Sequence, residues 1–152
     1  MERRFNIKPF NMKKIYLLSV LFCFVLFFGC SKDFLKKYDK RIIGIWRISN
    51  IRNFGIGGDT DDLPFKEGTL TFIEGGSLTY VNSANVTFQG NWDIVKKYRD
   101  DETLRSLQVT AVNFTTQQIL TEYYDDMNFG STDHFTANII STFHTYVTHF
   151  RR

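Results

Sequence analysis

Cysteine is almost absent from this sequence: among 152 residues only Cys23 and Cys30 carry a thiol. Cys23 sits inside an apolar run near the N-terminus, so a chain trimmed behind that run keeps Cys30 alone. One remaining cysteine excludes an internal disulfide and a thiolate metal site. Proline is equally scarce, and Pro64 is the only one beyond the run. Excess charge is missing too. The whole chain sets 19 Lys+Arg against 16 Asp+Glu, but beyond residue 30 the count is 14 against 15, a balance of −1. The mild basicity belongs to the leader and gives no footing for a nucleic-acid partner. There is also no Gly-x-Ser-x-Gly elbow, phosphate loop, dinucleotide glycine run or HExxH helix. The chain reads as a binding or structural module, not an enzyme, and no cofactor is implied.

What is present begins with Lys13 to Cys30, KKIYLLSVLFCFVLFFGC. Two lysines precede Ile15–Gly29, an apolar run broken only by Ser19. A positive end followed by a short apolar helix is what the export machinery reads. The run is shorter than the ~20 apolar residues of a spanning helix. Its end, Phe27-Phe28-Gly29-Cys30, resembles the lipobox of bacterial lipoproteins, although phenylalanines stand at the two positions before Gly29. The resemblance implies cleavage after Gly29, lipid on Cys30, and a membrane-anchored protein of the cell envelope. The outer membrane is the expected location, with its periplasmic and surface faces both open. Residues 1–29 are then a signal peptide, 30–41 a lipidated tether and 42–152 the folded domain. Met12 directly precedes the lysine pair and offers an alternative start. Lys32-Asp33 faintly resembles the lysine-and-acid surface signal of some Bacteroidota lipoproteins, and a solvated tether explains it equally well.

Within Ser31–Lys40, Phe34, Leu35 and Tyr38 have helix-compatible spacing, which predicts one helical turn before the first strand. From Ile42 onward the period becomes two. Val86 to Ile94 alternates apolar or glycine with polar residues, the pattern of a strand with one buried face. Leu70–Phe72 and Leu78–Tyr80 repeat it around Glu74-Gly75-Gly76, where glycines supply the positive φ of a tight hairpin. Leu107–Ala111, Ile119–Met127, Asp133–Ile140 and His144–Arg151 complete about eight short strands. The pattern predicts an all-β, antiparallel up-and-down barrel, with a β-sandwich as the alternative.

Gly44-Ile45-Trp46 opens the first strand, Gly90-Asn91-Trp92 lies on the fourth, and the chain ends Phe150-Arg151-Arg152. With GTLTFIEGGSLTY between them, this order resembles the bacterial, Bacteroidota-type lipocalin-like lipoproteins. The resemblance implies a tryptophan packed across the closed end of a barrel, with a basic residue from the last strand stacked on it. Arg151 is the expected partner, and Arg152 serves equally. The family likeness also implies a small apolar ligand or an envelope partner, with no ligand-binding residue identified.

Other candidate sites weigh less. Asp59-Thr60-Asp61-Asp62 gathers carboxylates, but counting from Asp59 places Pro64 sixth and Leu70 twelfth, where a calcium loop needs glycine and glutamate. Of His134, His144 and His149, the first and last are expected opposite one another across the final hairpin, too few ligands for a metal site. Asp125 and Asp126 are adjacent on a strand and cannot face each other as a catalytic pair. Asn85-Val86-Thr87 and Asn113-Phe114-Thr115 match a glycosylation sequon. Two readings follow: a lipid-anchored binding domain for a small apolar ligand or envelope partner, or a filled β-barrel scaffold contacting proteins or glycans through its loops. The inward candidates Trp46, Phe72, Tyr80, Phe88, Trp92, Tyr124, Phe135 and Tyr146 predict a filled lumen. Any pocket should then be shallow, at a mouth shaped by Phe54–Lys66.

Overall fold

The computed structural model describes residues 37–99 and 102–152. Gly29 and Cys30, the expected cleavage and lipidation positions, lie outside the described residues, as does most of the tether. The expected helical turn is α1, Tyr38–Ile42. It belongs to the folded domain, because Ile42 is fully buried in the core and Tyr38 packs edge-on against Phe129 with ring centroids 5.2 Å apart.

Nine strands follow: β1 (Gly44–Gly55), β2 (Thr69–Phe72), β3 (Ser77–Val81), β4 (Thr87–Arg99), β5 (Glu102–Val112), β6 (Ile119–Tyr124), β7 (Asp126–Phe129), β8 (His134–Ile140) and β9 (His144–Arg151). They form one antiparallel sheet in the order β6-β5-β4-β3-β2-β1-β9-β8-β7. This is the expected up-and-down meander, barrel-like but not closed by a ladder. Its end strands β6 and β7 are consecutive in the chain, and the count rises to nine because the expected strand Ile119–Met127 breaks at Asp125. At that corner the Asp125 N–H donates to Asn138 O at 2.7 Å. Asp125 Oδ2 accepts the Ile140 N–H at 2.9 Å, and Asp125 O accepts the Ser106 hydroxyl at 2.8 Å. One residue is thus held by both β5 and β8, and β5 packs on β7 while β6 packs on β8. The two ends of the sheet therefore meet over a shared core.

The period-two pattern translates directly into burial. On β2 and β3 the buried residues are Leu70, Phe72, Leu78 and Tyr80, paired Leu70 with Tyr80 and Phe72 with Leu78. The turn between them uses Gly75 and Gly76, with φ of 86° and 87°, a region open to glycine at little steric cost. Gly90 has a different reason. A Cβ there would stand 1.8 Å from Thr110 O, so only glycine allows β5 to approach β4 this closely. β4 and β5 run to 13 and 11 residues, longer than the alternation predicts. Beyond Ile94 the ladder pairs Lys96 with Arg105 and Lys97 with Leu104, a solvated ribbon that has no apolar face to betray it.

All eight expected inward aromatics are buried. Phe135 and Phe150 stack at 4.3 Å, and Trp46 meets Phe135 edge-on at 4.7 Å. Aromatic pairs at such separations add about 0.5–1.5 kcal/mol each beyond area burial, which compensates for the absence of a disulfide among these residues.

Candidate functional site

The closed end is built around Trp46. Its Nε1–H donates to Ile42 O at 2.6 Å, which ties α1 to the start of β1. The guanidinium that lies on the indole is that of Arg152, 4.4 Å from the ring centroid. Arg151 is therefore not the stacking residue, and strand parity explains why. Phe150 faces the core, so residue 151 turns outward, and its ladder partners are Arg47 and His134. Arg152 returns to the inner side and donates to Arg41 O at 2.8 Å and Ile43 O at 2.6 Å. Gly44 has φ of 127° and leaves space for that guanidinium, which comes within 3.4 Å of an added Cβ. Gly44, Trp46 and Arg152 thus form one constellation. The second pair, Gly90 and Trp92, is structural too: the Trp92 indole donates to Ile73 O at 3.1 Å and meets Phe72 edge-on at 5.7 Å.

At the opposite end the long β1–β2 connection folds over the mouth. Gly55, Gly57, Gly58 and Gly68 all take positive φ at its two ends. Gly58 packs so closely against Tyr146 and His144 that an added Cβ would sit 2.3 Å from the tyrosine hydroxyl. Between these ends Phe65 turns inward, 1 % exposed, and stands edge-on to Tyr80 at 4.9 Å. The Tyr80 hydroxyl donates to Glu67 O at 2.6 Å. Burial, then the Glu67 charge, pushes the Tyr80 pKa up to about 12. An open depression of about 260 Å³ lies beside this plug, lined by Ile51, Thr60, Asp61, Lys66 and Glu67. It occupies the mouth, where the sequence placed it.

The acidic run in this loop serves the loop itself. Asp59 Oδ1 accepts the Asp61 N–H at 2.9 Å and caps a 3-10 turn over Thr60–Asp62. Asp61 pairs with Lys66 at 3.0 Å. Among the described residues no group of three or more metal-ligating side chains converges. Asn113 of the second sequon is buried. Its amide donates to Thr87 O at 3.2 Å and its Oδ1 accepts the Thr115 and Thr116 N–H groups, both at 2.9 Å. It is committed to a turn and unavailable to a sugar.

His134 and His149 do meet, but not as directly opposed residues: His149 faces Thr136 in the ladder and His134 faces Arg151. The β8–β9 ladder closes at Ile140 and Thr145, leaving Ser141 to His144 in the turn, two residues more than expected, and this shifts the register by two. His134 Nε2 lies 3.3 Å from His149 Nδ1. The ring planes are within 20° and the centroids 5.6 Å apart, little more than that contact plus two ring radii. The rings meet edge to edge, one nitrogen donating and the other accepting, so these nitrogens serve each other. Burial, followed by Arg52, His134 and Arg151, holds the His149 pKa below its ordinary value.

Three polar groups remain inside the wall. Tyr124 Oη and Thr148 Oγ1 are buried without a hydrogen-bond partner among the described residues. Glu122 lies opposite Val109 on the inner face, and burial raises its pKa, with Asp125 adding to the effect. The sequence names Tyr124 as inward but singles out neither Thr148 nor Glu122, although a glutamate at an apolar-phase position of β6 was the available signal. Comparison with protein-family models, curated proteins and solved structures gives no match for this chain.

Proposed function

We propose that the chain is a lipid-anchored cell-envelope lipoprotein whose barrel is a filled scaffold, presenting its open-end loops to an envelope protein or glycan. The anchor reading rests on the apolar run and lipobox-like Phe27 to Cys30. The scaffold reading is carried by Phe65, seated in the mouth over a lumen already occupied by aromatic rings. A small barrel has room for its own side chains or one small ligand, and here the side chains supply the volume. The polar depression at the mouth and the exposed Phe114 and Ile119 at the β5–β6 turn suit surface contact better than enclosure of an apolar molecule.

A second reading, a small amphiphilic ligand within the barrel, is favoured by one observation. Tyr124 Oη, Thr148 Oγ1 and Glu122 place polar groups on an otherwise apolar inner wall. Metabolic labelling with a fatty-acid analogue tests the anchor. Parent protein should take up label and Cys30→Ser should not; label surviving in that variant contradicts the assignment.

A further inference from the structure

The outer face of three neighbouring strands carries an ordered sequence of side chains. Where β1, β9 and β8 lie side by side, cross-strand partners share a face, so the ladder can be read in rows. Nearest the closed end, Arg47, Arg151 and His134 align, then Asn50, His149 and Thr136. The next row is Arg52, Val147 and Asn138, and the last Phe54, Thr145 and Ile140. Beyond it Ile56 donates its N–H to Phe143 O at 2.9 Å, and these two side chains are 84 % and 74 % exposed. The outward registers follow from the bulge at Ser49, which lets Arg52 continue the cationic face begun by Arg47.

Two features of this face are costly in isolation. Arg47 stands directly across from Arg151, and like charges in that relation destabilise a sheet. Among the described residues neither of them, nor Arg52, has an ion-pair partner within 4.0 Å. Asp133 feels the charge of Arg151 but gives its oxygen to the Ser131 hydroxyl, and Asp126 lies opposite Asn138 on the next strand outward. Residues 42–152 carry 9 Lys+Arg against 13 Asp+Glu, a balance of −4, so this cationic strip is segregated, not a by-product of overall charge. At its other end large apolar side chains stand in water. Cations in one band and aromatic or aliphatic side chains in the next are what an anionic membrane interface accepts.

We propose that the outer face of β1, β9 and β8 docks on the surface of an anionic bilayer. Its arginines meet lipid phosphates, and Phe54, Ile56, Ile140 and Phe143 enter the interfacial layer. The proposal rests on the anchored reading above: only six residues lie between Cys30 and Lys37, and those seven steps reach about 25 Å at full extension. A domain held that close meets the bilayer with one of its sides, and this side has the fitting chemistry. The edge-to-edge histidines sit among Arg47, Arg52 and Arg151, with Asp133 as the neighbouring acid.

Among the described residues the core runs from Ile42 to Phe150, so the segment 35–152 carries its own core and can be tested without lipid. Flotation with phosphatidylcholine vesicles, alone or mixed with phosphatidylglycerol, reads docking directly. The segment should bind only the anionic vesicles and release in high salt. Arg47→Ser/Arg52→Ser/Arg151→Ser should lower partitioning roughly a hundredfold, about fivefold per arginine. Phe54→Ser/Phe143→Ser should weaken it as well, whereas Lys96→Ser/Lys97→Ser on the β4 ribbon should leave it near parent level. A thermal melt of each variant confirms folding. No binding to anionic vesicles, binding of inorganic pyrophosphate without vesicles, or equal loss from the lysine variant would overturn the proposal. Because lipid labelling at Cys30 is read separately, such a failure leaves the anchor assignment standing.

Discussion

The Arg152 guanidinium lies 4.4 Å from the centre of the Trp46 ring while donating to the carbonyls of Arg41 and Ile43. One side chain thus joins the end of β9 to the helix and the start of β1. A guanidinium over an indole contributes about 0.5–1 kcal/mol at an exposed site, and hydrogen bonds from a charged donor add to it. Arg152→Met should cost about 1–2 kcal/mol in urea unfolding. Arg151→Met, outward on the same strand, should stay within about 0.5 kcal/mol of parent. Equal losses would remove Arg152 from its special place.

Trp46 is fully buried and touches Phe129 and Phe135. Trp46→Ala should cost about 3–5 kcal/mol, a large share of the ~5–15 kcal/mol by which such domains are stable. An unchanged melting temperature would mean the closed end is not built on this residue.

Strand parity shows where the sequence was legible and where it was not. The alternation across Leu70–Phe72, Leu78–Tyr80 and Val86–Ile94 named the inward residues correctly, because each strand there has one buried face. The β1 bulge at Ser49 shifts the inner phase from Trp46 and Ile48 to Ile51, and a one-residue shift cannot be fixed from one strand alone. The parity that puts Tyr146 and Phe150 inward extends to Arg152, but the sequence leaves both arginines open, because stacking on Trp46 is a tertiary contact with no period of its own. The Asp125 corner was read as mid-strand, since its signal is a tertiary hydrogen bond to Ile140 N–H. Phe65 passed unnoticed as a plug: a single aromatic in a polar loop has no period to mark it.

Glu122 gives a pH-dependent prediction. Burial raises its folded pKa above the unfolded value, so the folded state holds the proton more tightly. That contribution is fully present below the unfolded pKa, near 4.5, and is lost as pH rises through the folded pKa. Glu122→Gln should therefore melt higher than parent at pH 7 and converge with it near pH 4. The opposite ordering at pH 7 would show that the carboxylate is stabilised where it lies.

His149 behaves in the reverse sense. Its folded pKa is held below 6.5, so its contribution is present above that value and is lost as pH falls through the folded pKa. Parent should lose stability on acidification through this window, and His149→Gln should lose less. Identical profiles would mean the His149 imidazole is not held neutral by its surroundings.

Tyr124 has a buried hydroxyl with no partner among the described residues, and burial pushes its pKa upward. Removing an unsatisfied buried polar group is neutral or stabilising, so Tyr124→Phe should melt at or above the parent temperature. A loss above about 1 kcal/mol would reveal a bonded partner at that oxygen and favour the ligand reading.

The central claim is that the barrel is filled and sealed by Phe65, and titration of the 35–152 segment with a fluorescent fatty-acid analogue tests it most directly. The account predicts no saturable one-to-one binding to parent and no quenching of Trp46 or Trp92. Tight stoichiometric binding that quenches both tryptophans would contradict it.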